Sequence, residues 1–380
     1  MGLLGIHLSL LVGPTVPLPA PPVLAEALQS AEVTHDDQGR SGFELTFGVG
    51  RAGPSDMLDY PPAFGDLLCP FNRVMLVVTF GVVPRVLMDG VITQRELSPS
   101  AQPGQSSLGV TGEDVSALMD LEERNHAHPA QPEATIVPLL LLRYAQYGVT
   151  PTVVPPPSQS PPLPLERIPS FRGTDYAYLQ EMAHRYGYVF YVAPGPVPFF
   201  NRAYWGPPQR TGLPQRALSV ALGPATNVDS IRFKHNGLEP TLVKGAALVN
   251  GVPVPVQTFA STRMPPLAAR PALLPVPGRT RTRLLEVPSG TRYERAYAHA
   301  QGVTNASTDR AVEVQGQLNA LRYGDLLQPR GLVGLRGAGY SQDGSYYVRR
   351  VTHSIKRGEY VQRFTLTREG TGSLTPAVLP

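Results

Sequence analysis

Apolar and polar residues alternate in the first part of the chain with the period of a half-buried strand. Ile6, Leu8, Leu10 and Val12 take one face against His7 and Ser9, and Phe43, Leu45, Phe47 and Val49 do the same against Glu44, Thr46 and Gly48. Val74 to Phe80 is a near-continuous apolar run, and Arg85 to Leu97 carries the turn-forming pair Asp89-Gly90. Short strands with frequent turn residues over 1–111 predict a closed antiparallel barrel.

The period then lengthens. Thr111-Gly-Glu-Asp114 has capping-box spacing ahead of Val115, Leu118 and Met119, which predicts a helix to about Arg124. Pro138 opens a second predicted helix with Ile136, Leu140, Tyr144 and Tyr147 on one face, ended by Gly148 and Pro151. Eight prolines between 151 and 169 leave only an extended, polyproline-like connector. Pro161-Pro-Leu-Pro164 fits a PxxP ligand, with a spacer or surface strap as the preferred reading.

The clearest element runs from Gly173 to Val192. Thr174 and Asp175 offer cap oxygens, Tyr176, Leu179, Met182, Ala183 and Tyr186 share a helical face, Gly187 sits at a left-handed stop, and Tyr188 to Val192 reads as an aromatic strand. Strand patterns return at Ala217 to Leu222, Ser230 to Lys234, Leu242 to Pro255 and Ala311 to Leu318. The last hairpin puts Tyr360, Gln362, Phe364 and Leu366 on one face and Val361, Arg363, Thr365 and Thr367 on the other.

Two motifs carry a resemblance. The helix-to-strand residues Leu179, Met182, Ala183, Gly187, Tyr188, Phe190 and Tyr191 resemble an element of the phage late control D family, which includes the VgrG and gp27-like hubs of contractile tails and injection systems. Gly331 to Gly337, then Asp343-Gly344-Ser-Tyr-Tyr347-Val348, Val351-Thr-His353 and Lys356-Arg-Gly358-Glu359 before Tyr360 resemble the closing strands of the same hubs. The resemblance implies a mainly β, α+β chain with two tandem antiparallel barrels of tube-like form and a small inserted α/β domain. On the residue pattern, this order places the first barrel at 1–111, the insert with its connector at 112–205, and the remaining strands of the first barrel with the second barrel at 206–380. It further implies a homotrimer that joins a threefold spike to a sixfold inner tube, with other baseplate proteins around it. A chain of 380 residues leaves no room for a needle domain, so the spike is expected as a separate protein. Assembly is expected in the cytoplasm, followed by incorporation into a virion or injection particle.

Composition agrees with an assembly component. Charged residues make up 16% of the chain, against roughly 25% in an average soluble domain. Net charge is +4, and the arginines from Arg263 to Arg295 have only Tyr293 among them, so they read as an exposed basic loop or subunit contact rather than a nucleic-acid groove. Cys69 is the sole cysteine, which excludes an intrachain disulfide and fits a reducing compartment. The apolar N-terminus lacks the basic residues of a signal peptide, and no run reaches membrane-spanning length.

Candidate chemistry is thin. Gly48-Val-Gly-Arg-Ala-Gly53 matches GxGxxG but lacks a following long helix and a later acidic residue. His126 and His128, near Glu122 and Glu123, read as a solvated loop. His353 reads as a structural histidine, with no carboxylate or nucleophile beside it in sequence. No catalytic residue, metal or cofactor is expected. Two rival functions stay open: a tail-associated cell-envelope hydrolase, and a proline-rich host-surface adhesin.

Overall fold

The computed structural model describes residues 6–49, 66–81, 83–102, 105–158, 168–249, 251–273, 279–288 and 291–374. The PxxP stretch and the end of the GxGxxG match lie outside them. Alternation in the first part of the chain turns one row of side chains inward from each strand. The elements are β1 (Ile6–Gly13), β2 (Leu18–Pro19), α1 (Pro22–Ala27), β3 (Leu28–Asp36), β4 (Gly42–Gly48), β5 (Arg73–Phe80), β6 (Val83–Ser98) and β7 (Ser107–Asp114). They pair antiparallel in the order β2-β1-β5-β6-β7-β4-β3. Leu10, Val33, Leu45, Phe47, Leu76, Met88 and Val110, from six different strands, meet in one core, so the sheet curls around them.

Two sequence expectations fail here for identifiable reasons. Asp89-Gly90 lies within the continuous strand β6 and not in a turn. Asp89 is there to pair with Arg73 on the neighbouring strand, through Nε at 2.7 Å and Nη2 at 2.6 Å. Thr111 to Asp114 ends β7 and does not cap a long helix. Asp114 instead accepts from the Ser116 amide and starts a 3-10 segment, Val115–Asp120.

The middle of the chain forms a smaller α/β unit from β8 (Glu123–Ala127), α2 (Glu133–Leu141), β9 (Val149–Val153), β10 (Ser170–Thr174), α3 (Asp175–Arg185), β11 (Val189–Pro194) and β12 (Asn201–Gly206). Helix α2 opens at Glu133 behind Pro132, one turn before the expected start. Pro138 lies inside it. A 3-10 segment then runs to Tyr147 and closes at Gly148. Pro151 is accommodated because β9 is an edge strand, paired only with β12, where a missing donor can face away from the ladder. Thr174 caps α3 by accepting from the Ala177 amide at 3.2 Å, and Leu179, Met182, Ala183 and Tyr186 pack with Phe190 and Trp205.

The remaining chain contains β13 (Gln215–Ser219), β14 (Ser230–His235), β15 (Thr241–Val249), β16 (Val252–Gln257), β17 (Arg270–Pro271), β18 (Arg281–Leu284), α4 (Tyr293–Thr308), β19 (Val312–Asn319), α5 (Ala320–Tyr323), β20 (Leu332–Arg336), β21 (Gly344–Lys356), β22 (Glu359–Arg368) and β23 (Gly370–Thr371). Leu218, Val314, Val333, Leu335, Tyr346, Val348, Phe364 and Leu366 form a second large core. The class is mainly β, as expected. The two curled halves are parts of a single 13-stranded sheet joined through β21. The end of β21 nearer Gly344 pairs with β20 and the end nearer Lys356 pairs with β3, while β22 follows both.

Helix α4 was invisible to pattern reading. Ala296, Ala298, His299, Ala300, Gln301, Gly302, Thr304 and Asn305 are all buried, so the helix has no simple polar face and no clear apolar stripe. It lies on the small sheet β16-β15-β18 and against the end of α3. At that crossing the backbones touch. A Cβ on Gly302 would stand 2.5 Å from the Tyr186 carbonyl carbon, and one on Gly187 would stand 2.2 Å from the Gly302 carbonyl oxygen.

Gly302→Ala tests this crossing. Helix propensity favours alanine by about 1 kcal/mol, whereas overpacking against backbone on both sides costs about 1–3 kcal/mol. We expect a net loss of stability in urea denaturation; a gain would show that the crossing relaxes freely.

Candidate functional site at the junction of the lobes

The two sequence motifs meet in space. Leu179, Met182, Ala183, Tyr188 and Phe190 fill the core of the α/β unit, and Gly187 supplies the contact with α4. Tyr191, one position along β11, points to the opposite face beside Val189 and Tyr204. There the Arg330 guanidinium lies over its ring at 4.0 Å. Arg330 also donates to the Asp36 carbonyl at 2.6 Å and to the Ser41 hydroxyl at 2.8 Å, so one buried cation ties both lobes to the insert. Its own backbone is left-handed, φ 65°, an uncommon conformation for a residue with a side chain.

From the second motif, Gly337 makes a turn at φ 88° where a Cβ would lie 2.0 Å from the Val220 carbonyl oxygen. Gly344 starts β21, Val351 enters the second core, and Gly358 lies in the tight turn to Tyr360. Tyr347 is buried against Leu267 and Leu332, and its hydroxyl faces Asp37. Asp37 is 3% exposed, and Arg349 approaches it at 3.6 Å, beyond hydrogen-bond reach. Burial therefore dominates and pushes the Asp37 carboxyl up to about 7, against the opposing pull of Arg349.

His353 is buried on β21, 2.9 Å from the Tyr360 hydroxyl through Nδ1, and sits edge-on to His35 with ring centroids 5.7 Å apart. Burial lowers its pKa to about 3 and lowers that of His35 well below the usual range, so both rings are neutral at physiological pH. His126, expected in a solvated loop, lies instead in β8 and is buried, with Nε2 3.4 Å from Asp175. Asp175 is held by Arg143 at 3.0 Å and the Tyr144 hydroxyl at 2.8 Å. No cluster of three or more His, Cys, Asp or Glu suited to a metal occurs among the described residues.

The basic segment also divides. Arg263 and Arg295 are buried cations: Arg263 binds Asp309 at 3.1 Å, and Arg295 binds Glu133 at 2.8 Å. Asp309 further accepts from Arg210 at 2.5 Å, and Arg210 reaches Glu369 at 2.9 Å. Beside this network opens a cavity of ≈810 Å³ whose walls include Tyr186, Tyr188, Tyr204, Tyr293 and Tyr297. A second cavity of ≈380 Å³ holds Asp37, Arg349 and Tyr347 in its wall.

No protein-family model matches this sequence, and none of the curated proteins matches it. Solved structures do. The tail protein from Neisseria meningitidis MC58 aligns with TM-score 0.65 over 97% of this chain and 98% of its own, at 12% identity. The 43 kDa tail protein of prophage MuSo2 from Shewanella oneidensis gives TM-score 0.65 over 96% and 99%, also at 12% identity. The chain has the fold of phage tail proteins. An E. coli component of the type VI secretion system, described as structurally similar to the T4 tail proteins gp27 and gp5, aligns at TM-score 0.52 over 93% of this chain and 77% of its own, with 13% identity. In this tail-protein fold the junction residues Asp37, Arg210, Arg330 and Arg349 escaped sequence reading. Their spacing is unremarkable, and only the left-handed Arg330 beside Pro329 and Gly331 offered a local signal.

Two pH effects of opposite sign follow. Asp37 binds a proton in the native state that the unfolded chain releases, so its own contribution to stability falls as pH rises from about 4 to about 7 and then levels, by about 4 kcal/mol in all. In urea unfolding the stability of the parent relative to Asp37→Asn should fall as pH rises from 5 to 8; a difference that stays constant over this range would remove Asp37 as a source of pH dependence. His353 works in the other direction. Its native pKa lies below the unfolded value, so its contribution is complete above about pH 6.5 and is lost as pH falls toward 3. In the same assay the stability of the parent relative to His353→Gln should fall as pH drops from 7 to 5.

Proposed function

We propose that the protein is a structural hub of a contractile tail or injection particle, a trimeric adaptor between a threefold spike and a sixfold inner tube. The observation that carries this reading is the pair of curled half-sheets fused through β21 within one chain. Three such chains around an axis present six barrel-like units, which lets a threefold structure meet a sixfold one. The likeness to solved tail proteins over nearly the whole chain supports the same reading. So does the likeness to a type VI secretion component and to a chain of a Francisella PdpA–VgrG complex, which aligns at TM-score 0.56 and 9% identity over 99% of this chain and 60% of that one.

The function would be mechanical. Free strand edges suit strand addition between subunits, which satisfies backbone groups that otherwise invite aggregation. On this reading the protein assembles in the cytoplasm and ends in a virion or extracellular particle, with spike, tube and baseplate proteins as partners. Among the described residues no helix is long and apolar enough to cross a membrane.

Native mass spectrometry tests the stoichiometry. The expected species is a trimer, alone or as a three-plus-three complex after co-expression with its spike. A monomer under both conditions would remove the symmetry on which the adaptor role rests.

A further inference from the structure

The second cavity has an uneven charge balance. Five guanidinium groups line it, from Arg210, Arg281, Arg283, Arg310 and Arg349, against three carboxylates, from Asp37, Glu239 and Asp309. Asp309 is taken by Arg210 at 2.5 Å and Glu239 by Arg310 at 2.7 Å. Arg349 is the nearest cation to Asp37. That leaves Arg281 and Arg283 with no carboxylate within salt-bridge distance among the described residues. They are two apart on β18, so both side chains leave the strand on the same side.

We propose that this cavity binds a small oxyanion of the phosphate class. Arg281 and Arg283 form one wall, and Arg310 and Arg349 come from the far end of α4 and from β21. Planar guanidinium forks are suited to paired hydrogen bonds with tetrahedral or planar oxyanions. The volume of ≈380 Å³ and the enclosure by β18, α4, β21 and the α3–β11 turn suit a compact ion and leave no room for a duplex. A cation near the C-terminal end of a helix can also serve merely to offset the carbonyl dipole. Arg310 and Arg210 stand at that end and are already paired, whereas Arg281 and Arg283 approach from the opposite wall. Such an ion would join the small sheet carrying β18 to the junction of the lobes. The site does not depend on the hub reading and would stand if the protein proved monomeric.

Isothermal titration calorimetry on the full chain tests it, with sodium phosphate as the probe and sodium chloride at matched ionic strength as the reference. One-to-one phosphate binding is expected, weakened at least about tenfold in Arg281→Ala/Arg283→Ala and unchanged in Arg232→Ala/Lys234→Ala, whose charges lie on β14, outside this cavity. If the alanine pair fails to fold, Arg281→Gln/Arg283→Gln is read the same way. A phosphate response no different from chloride, binding retained in the Arg281/Arg283 variants, or an equal loss in the β14 variant would overturn the proposal. Titration with a short oligothymidylate separates the sources: binding of the oligonucleotide without binding of free phosphate would likewise overturn it.

Discussion

Strand β21 is the constraint on which the rest of the structure depends. A strand has two edges, and both edges of β21 are used along its 13 residues. One edge is given to β22. The other is divided between β20 and β3, and the division falls at a bulge between Val348 and Arg350. The extra residue, Arg349, turns toward Asp37 and Glu313. Because side chains alternate along a strand, the bulge also resets which residues face inward. Tyr346, Val348 and Val351 feed one core, whereas Ile355 and the following Tyr360 pack in the other. A change at this bulge would move side chains in both lobes.

Buried charge pairs add to the backbone ladder of β21 in tying the lobes and the insert together. Arg295 with Glu133, and Arg210 with Asp309 and Glu369, are buried pairs that join segments far apart in sequence, and Arg73, paired with Asp89 on the neighbouring strand, also donates to the Tyr147 carbonyl of the insert at 3.1 Å. Asn201, from the insert, donates to Asp89 at 2.9 Å, which fixes the insert on the first lobe. Buried pairs gain little net stability over apolar contacts, but losing one partner costs about 3–5 kcal/mol because a charge is left stranded. Their effect is therefore to define one arrangement of the parts. Because several of the chain's charges lie inside, its surface carries fewer than the 16% content alone implies.

Strand periodicity was legible wherever one face is buried and the other wet, as at Ile6 to Val12, Phe43 to Val49 and Tyr360 to Leu366. The capped helix from Thr174 and its glycine stop were legible because local hydrogen bonds and a left-handed residue decide them. Legibility failed where tertiary contact sets the pattern. Helix α4 is enclosed by β15, β16 and α3, so small and polar residues occur all round it. Thr111 to Asp114 reads as a helix start by spacing, yet ladder bonds to β4 and β6 draw it into a sheet. Asp89-Gly90 reads as a turn, yet a cross-strand arginine takes the aspartate.

By itself the sequence determined the mainly β class, the capped helix-to-strand unit, and the two motifs that resemble tail hubs, because these depend on contacts between residues close in the chain. Only the tertiary structure decided that Tyr191 and Tyr347 converge on one polar junction. It alone decided that Arg330, Arg210 and Asp37 are buried there, and that His126 lies in a strand. The reason is range: an alternating pattern or a cap is complete within about ten residues, whereas a buried ion pair joins positions up to 162 residues apart, such as Glu133 and Arg295, and leaves no local trace in either segment.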